Sequence, residues 1–164
     1  MDESSSAVRS LLGIGFYLKH SAKPGDILIV DEPELNLHPE NQRKIARLFT
    51  RLVNIGIKVF ITTHSDYIIK EINTLIMLNN NGTHIKDIVK NEGYHSQELI
   101  NHNKIKVYIA EEALIKIPRN KKRTKCQTLV SANIDQKSGI EARSFDKTIE
   151  EMNRIQDEII WGSN

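Results

Sequence analysis

Residues 27 to 39 read ILIVDEPELNLHP. Four apolar residues run without a break into two acids, a proline, and a polar turn that closes on His-Pro. A short apolar run bounded by turn residues is the pattern of a strand buried on both faces of a parallel sheet. In such sheets ligands bind outside the carboxyl ends of the strands. The stretch therefore predicts a buried strand that delivers Asp31 and Glu32 to a ligand-binding edge.

The flanking sequence supports that layout. Residues 5 to 19, SSAVRSLLGIGFYLK, are apolar around most of a helical circumference, with the serines placed to cap the helix. KPGD (23 to 26) is a turn by its Pro-Gly pair. From Glu40 to Asn54, Ile45, Leu48, Phe49, Leu52 and Val53 recur at helical spacing, leaving Arg43, Lys44, Arg47 and Arg51 to other faces. Gly56 then acts as a breaker. IKVFITT (57 to 63) predicts a second strand ending at His64, SDYIIKEI a short helix, and TLIMLN (74 to 79) a third strand. Strand, helix, strand, helix, strand implies parallel pairing through crossovers, so residues 1–79 are expected to form an α/β layer.

After Asn79 the texture changes. HIKDIV, KIKVYI and QTLVSANI are short strand-like pieces between polar turns, and PRNKKRTK (118 to 125) is a loop carrying five basic residues. The chain closes on SFDKTIEEMNRIQDEII, where Ile149, Met152, Ile155 and Ile159 form one apolar stripe. Residues 80–164 are thus expected to be a small mixed α+β extension ending in an amphipathic helix. That helix suits packing on its own domain or docking of a partner subunit.

Composition narrows the class. Of 164 residues, 39% are hydrophobic and 27% charged, which suits a soluble domain with a core of its own. The net charge of +2 gives no bulk electrostatic signature of nucleic-acid binding. The single Cys126 permits no internal disulfide and suits a reducing compartment. No apolar run reaches bilayer length, and MDESSSAVRS lacks the order of a signal peptide. A cytoplasmic location without membrane contact is expected.

The residues at the strand ends have the chemistry of nucleotide hydrolysis. An acid directly after a buried strand can hold a magnesium ion, directly or through water. A second acid beside it points the other way and can orient or deprotonate a water. A histidine ending a neighbouring strand can hydrogen-bond a γ-phosphate.

In this pattern ILIVDEPE resembles the Walker B segment of ABC-type ATPases, with LNLHP in the place of their D-loop and ITTHS similar to their switch-histidine segment. ESSSAVRS resembles the signature motif that opens the helix before Walker B. The EPELNLHP wording is most similar to the SMC-like and OLD-nuclease-like group, whose members handle DNA or defend bacteria against phage. The resemblance spans residues 3–79. It implies the parallel-sheet lobe of a P-loop ATPase, ATP with Mg2+, and the following roles. Asp31 would hold the metal, Glu32 would position the attacking water, and His64 would contact the γ-phosphate. Ser4 and Ser5 would contact the γ-phosphate bound by an opposing head. Asn36, Leu37 and His38 would line a head-to-tail dimer interface, so the implied partner is a second ATPase head.

Three departures accompany the resemblance. Ser6 stands where the signature usually has glycine, and its Cβ and hydroxyl crowd a helix terminus that approaches phosphate. His38 stands where many members have an aspartate. No G-x-x-x-x-G-K-[ST] loop occurs in the chain. The chain is therefore expected to be the C-terminal half of a larger ATPase, to need an N-terminal portion bearing that loop, and to bind ATP poorly alone. A non-hydrolysing interaction module derived from such an ATPase is the alternative.

Other readings are weaker. KIKVYIAEE, ending a strand at Glu111 and Glu112, has a faint likeness to the opening of a Toprim nuclease domain, but where that chemistry needs an Asp-x-Asp further along, NIDQKSG supplies only Asp135. The basic loop leaves DNA contact open, without aromatic residues for base stacking. His20, His84, His95 and His102 lack zinc-ligand spacing. An effector protein remains open as a further partner.

Overall fold

The computed structural model describes residues 2–116, 123–141 and 143–162, with the side chains of 2–10 and 143–150 left aside. The chain divides into two compact units, residues 1–104 with 135–139, and residues 105–134 with 140–164. No helix among the described residues is long and apolar enough to cross a membrane.

The first unit opens with α1 (Asp2–His20), β1 (Ile27–Asp31), α2 (Pro39–Asn54), β2 (Lys58–Thr62), α3 (Asp66–Leu78) and α4 (Thr83–Asn91). β1 and β2 pair in parallel, in a register that runs from Ile27 opposite Lys58 to Asp31 opposite Thr62. α2 is the crossover between them. It starts on Pro39, whose missing N–H costs nothing in a first turn, and His38 caps it by accepting the Glu40 N–H at 3.4 Å. It stops where Gly56 adopts φ +94°, a conformation that favours glycine. Ile45, Ala46, Phe49 and Leu52 fall on its buried face, at the spacing the sequence predicts.

These side chains form a core with Leu37, Ile57 and Ile68, and Leu11, Ile14, Leu18, Leu28, Val30, Val59 and Ile61 pack against it. The sheet is therefore covered on one face. Its other face leaves Ile27, Ile29 and Phe60 exposed at 65%, 71% and 59%. The expectation of a strand buried on both faces holds on one side only, because among the described residues the core packs against Leu28, Val30, Val59 and Ile61 and nothing covers Ile27, Ile29 and Phe60.

The third strand expected at 74–79 is the C-terminal part of α3. Ile68, Ile72, Leu75 and Ile76 recur at helical spacing, and three of them are fully buried, so the apolar run continues one helix rather than starting a strand. The same reason applies to HIKDIV. Ile85, Ile88 and Val89 lie three and four residues apart, and the segment is the helix α4.

The arginines that the sequence leaves to other faces of α2 are tied to buried carboxylates. Glu71, 2% exposed, accepts Arg43 Nε and Arg47 Nε at 2.6 Å each, one on each carboxylate oxygen. Arg47 also lies 4.1 Å above the Tyr94 ring, and Arg43 donates to the Tyr94 hydroxyl at 3.2 Å. Arg51 Nη2 pairs with Glu98 at 2.6 Å, and Asn54 donates to the carbonyls of Gln97 and Leu99. These contacts fasten α3 and the 94–99 segment to α2. Residues 135–139 return to the same unit, where Gln136 donates to the Asn79 carbonyl and pairs with His102.

In the second unit β3 (Tyr108–Ile115) and β4 (Thr124–Ser131) form an antiparallel pair, from Tyr108 opposite Ser131 to Ile115 opposite Thr124. α5 (Arg143–Trp161) follows, as the amphipathic pattern predicts. Its described side chains, 151–162, are exposed, so Met152, Ile155 and Ile159 of the stripe expected to pack on its own domain are uncovered among the described residues. The basic loop 118–125 lies for the most part outside the described residues.

The Glu71 junction predicts non-additive losses in urea denaturation. Arg43→Ala and Arg47→Ala should each cost about 1 kcal/mol, since one guanidinium still serves Glu71. The double variant strands a buried carboxylate and should cost about 3–5 kcal/mol. Two small losses that simply add would contradict this account.

Candidate functional site

The parallel register sets the site. Asp31 is the last residue of β1 and Thr62 the last of β2, directly opposite each other. The Thr62 hydroxyl donates to Asp31 Oδ1. The Glu32 N–H donates to both the Thr62 carbonyl, at 3.1 Å, and its hydroxyl oxygen, at 3.2 Å. One threonine thus fixes the Asp31 carboxylate and ends the ladder at Glu32.

Glu32 itself has φ +43°. An L residue seldom adopts this left-handed conformation, and it costs of order 1 kcal/mol or more unless surrounding contacts impose it. The chain therefore turns sharply after Asp31, and the two adjacent acids leave it in different directions. Asn36, at φ +61°, makes a second left-handed step, which asparagine tolerates well. The turn closes through Leu35 N–H to the Glu32 carbonyl and Leu37 N–H to the Glu34 carbonyl.

His64 stands two residues after β2. Its Nε2 lies 3.6 Å from Glu32 Oε1, and its side chain is 87% exposed. Its backbone N–H donates to Glu34 Oε1 at 2.6 Å. Ser65 caps α3 by accepting the Ile68 N–H at 3.2 Å and donates its hydroxyl to Gln42. Gln42 in turn donates to the Leu37 carbonyl at 2.8 Å. The acidic turn and the histidine segment are thereby stitched together at both ends.

The structure brings Asp31, Glu32 and His64 to one edge. Asn36 lies exposed in the turn, and His38 serves as the N-cap of α2. Ser4 and Ser5 fall within α1, which begins at Asp2. The expectation that they precede and cap that helix is corrected, and their side chains lie outside the described residues. Sequence reasoning missed Thr62, Glu34 and Gln42. A threonine at the strand end opposite a predicted acid was the available signal for Thr62.

For the Toprim-like reading, Glu111 and Glu112 lie within β3, not at its end, and Glu112 pairs with Lys125. Asp135 is occupied by a turn. The Ser138 hydroxyl, the Ser138 N–H and the Lys137 N–H hold its carboxyl down to about 2. Among the described residues no cluster of three His, Cys, Asp or Glu side chains is placed to hold a metal on its own. The Asp31 carboxylate with the Thr62 hydroxyl beside it suits magnesium nonetheless, since that ion takes one or two carboxylates and completes its shell with water and substrate phosphates.

A family model described as the AAA ATPase domain matches residues 1–69, the stretch that holds Asp31, Glu32 and His64. No curated protein and no solved structure matches the chain. The first part of the chain is similar to AAA-type ATPase domains.

The Thr62 junction is testable. Thr62→Val removes one donor and one acceptor at the strand ends and should lower stability by about 1–2 kcal/mol in chemical denaturation. Thr62→Ser should be close to neutral, and equal losses in both variants would contradict the role given to the hydroxyl.

Proposed function

We propose that this chain carries the signature, Walker B and switch-histidine part of an SMC/OLD-like ATPase, serving bacterial anti-phage defence or DNA processing. The observation that carries the reading is the convergence of Glu32 and His64, 3.6 Å apart, beside an Asp31 held by Thr62. The match of residues 1–69 to the AAA ATPase domain supports it.

In this reading Asp31 holds magnesium, which supplies charge neutralisation to the phosphates when bound. Glu32 accepts a hydrogen bond from the attacking water and takes its proton. His64 donates to the γ-phosphate, where negative charge is concentrated. Ser4 and Ser5 reach the γ-phosphate held by an opposing head, and Asn36 and His38 line the surface between the two heads. ATP closes the heads and hydrolysis reopens them. The phosphates themselves need backbone N–H groups and a lysine from a G-x-x-x-x-G-K-[ST] loop, which this sequence does not contain. The second reading is a non-hydrolysing interaction module built on the same fold.

Phosphate release by the chain joined to a phosphate-loop-bearing half of an AAA ATPase domain separates the two readings. Glu32→Gln should lower kcat by at least about 10²-fold while ATP binding persists, and should hold the heads closed. Turnover indifferent to Glu32→Gln would remove Glu32 from the mechanism. Absence of turnover in the unsubstituted protein would favour the interaction module.

A further inference from the structure

Glu34 is the third acid of DEPE, and neither the metal nor the water in the reading above needs it. Its Oε1 nevertheless accepts the His64 backbone N–H at 2.6 Å, across thirty residues of sequence. Its Oε2 is buried without a hydrogen-bond partner. A carboxylate oxygen left unpaired away from water costs free energy, so this side chain is held in place at some expense to stability.

The His64 ring gains nothing from packing, because it is 87% exposed. Its place is set by its backbone. Ahead of it β2 ends at Thr62, and after it Ser65 begins α3. Among the described residues, the side chain that grips the His64 peptide directly is Glu34. Glu32 and Glu34 belong to the same tight turn, closed by the Leu35 N–H to the Glu32 carbonyl. One end of that turn faces the His64 ring and the other holds the His64 backbone.

We propose that Glu34 is a positioning residue that clamps the His64 peptide and so fixes the imidazole against Glu32. This rests on the reading of Glu32 and His64 as the hydrolytic pair. Through the clamp, the turn that carries the water-activating acid and the segment that meets the γ-phosphate move as one body. A charged acceptor is the strongest partner a backbone N–H can have, which accounts for glutamate at this place.

Two measurements test it. In the 164-residue chain, amide hydrogen exchange at His64, read by 15N NMR, should rise about tenfold or more in Glu34→Ala. It should stay close to the native rate in Glu34→Gln, whose side-chain carbonyl still accepts. The Glu32 amide, held by Thr62, should be unchanged in both. In the assembly competent for turnover, Glu34→Ala should lower kcat by up to about 10²-fold with KM for ATP unchanged, as expected for a misplaced group. Glu34→Gln should recover most of that loss. Equal His64 exchange in native chain and Glu34→Ala overturns the clamp, whatever the turnover assay gives. Normal kcat in Glu34→Ala, with exchange raised, overturns its catalytic purpose. Failure of the unsubstituted assembly to turn over is a failure of the ATPase reading, and the exchange result then decides the clamp alone.

Discussion

Parallel pairing of β1 with β2 puts Asp31 directly across from Thr62, and the remainder of the site follows from that one register. A slip of one residue would send every side chain of the strand to the opposite face. Leu28 and Val30 would then leave the core, and Asp31 would turn into it. The register is held by burial along one face and by the Thr62 hydroxyl at its end. Only with it in place does the sharp turn at Glu32 meet the segment leading to His64.

The crossover helix holds this arrangement from below. α2 carries apolar residues toward the sheet and arginines toward α3 and the 94–99 segment. Each arginine finds a buried or nearly buried carboxylate, Glu71 for two of them and Glu98 for the third. Such pairs contribute less net stability than their geometry suggests, because both charges lose water. What they supply is orientation, since a planar guanidinium accepts a carboxylate in few directions. The opposite face of the sheet has no such support among the described residues. Ile27, Ile29 and Phe60 lie in water, although parallel sheets are ordinarily covered on both sides.

Much of the first unit was legible in the sequence. ILIV and IKVFITT gave strands because their apolar runs are short and bounded by turns, and the spacing from Ile45 to Leu52 gave α2. The convergence of Asp31, Glu32 and His64 followed from one crossover between parallel strands. The third strand failed because TLIMLN, taken alone, is a short apolar run that fits either a strand or a buried helix. Only the phase set by Ile68 and Ile72 decides for the helix. The arginines of α2 were left to other faces without partners, because the sequence does not disclose which glutamates are buried. Thr62 and Glu34 were missed for a related reason. Their roles depend on which backbone groups face them, a property of the register and the turn rather than of composition. The serines near the start were assigned as a cap by residue type, whereas α1 begins ahead of them.

The proposed function makes Asp31 and its neighbours one half of a nucleotide site, to be completed by a phosphate loop that these 164 residues do not contain. Isothermal titration of Mg-ATP tests this most directly, on the 164-residue chain alone and on the chain joined to a phosphate-loop-bearing half, each with and without Asp31→Ala. The account predicts no measurable binding to the chain alone, binding to the joined protein, and a loss of about tenfold or more in Asp31→Ala. Binding to the chain alone, or binding to the joined protein that ignores Asp31→Ala, would contradict it.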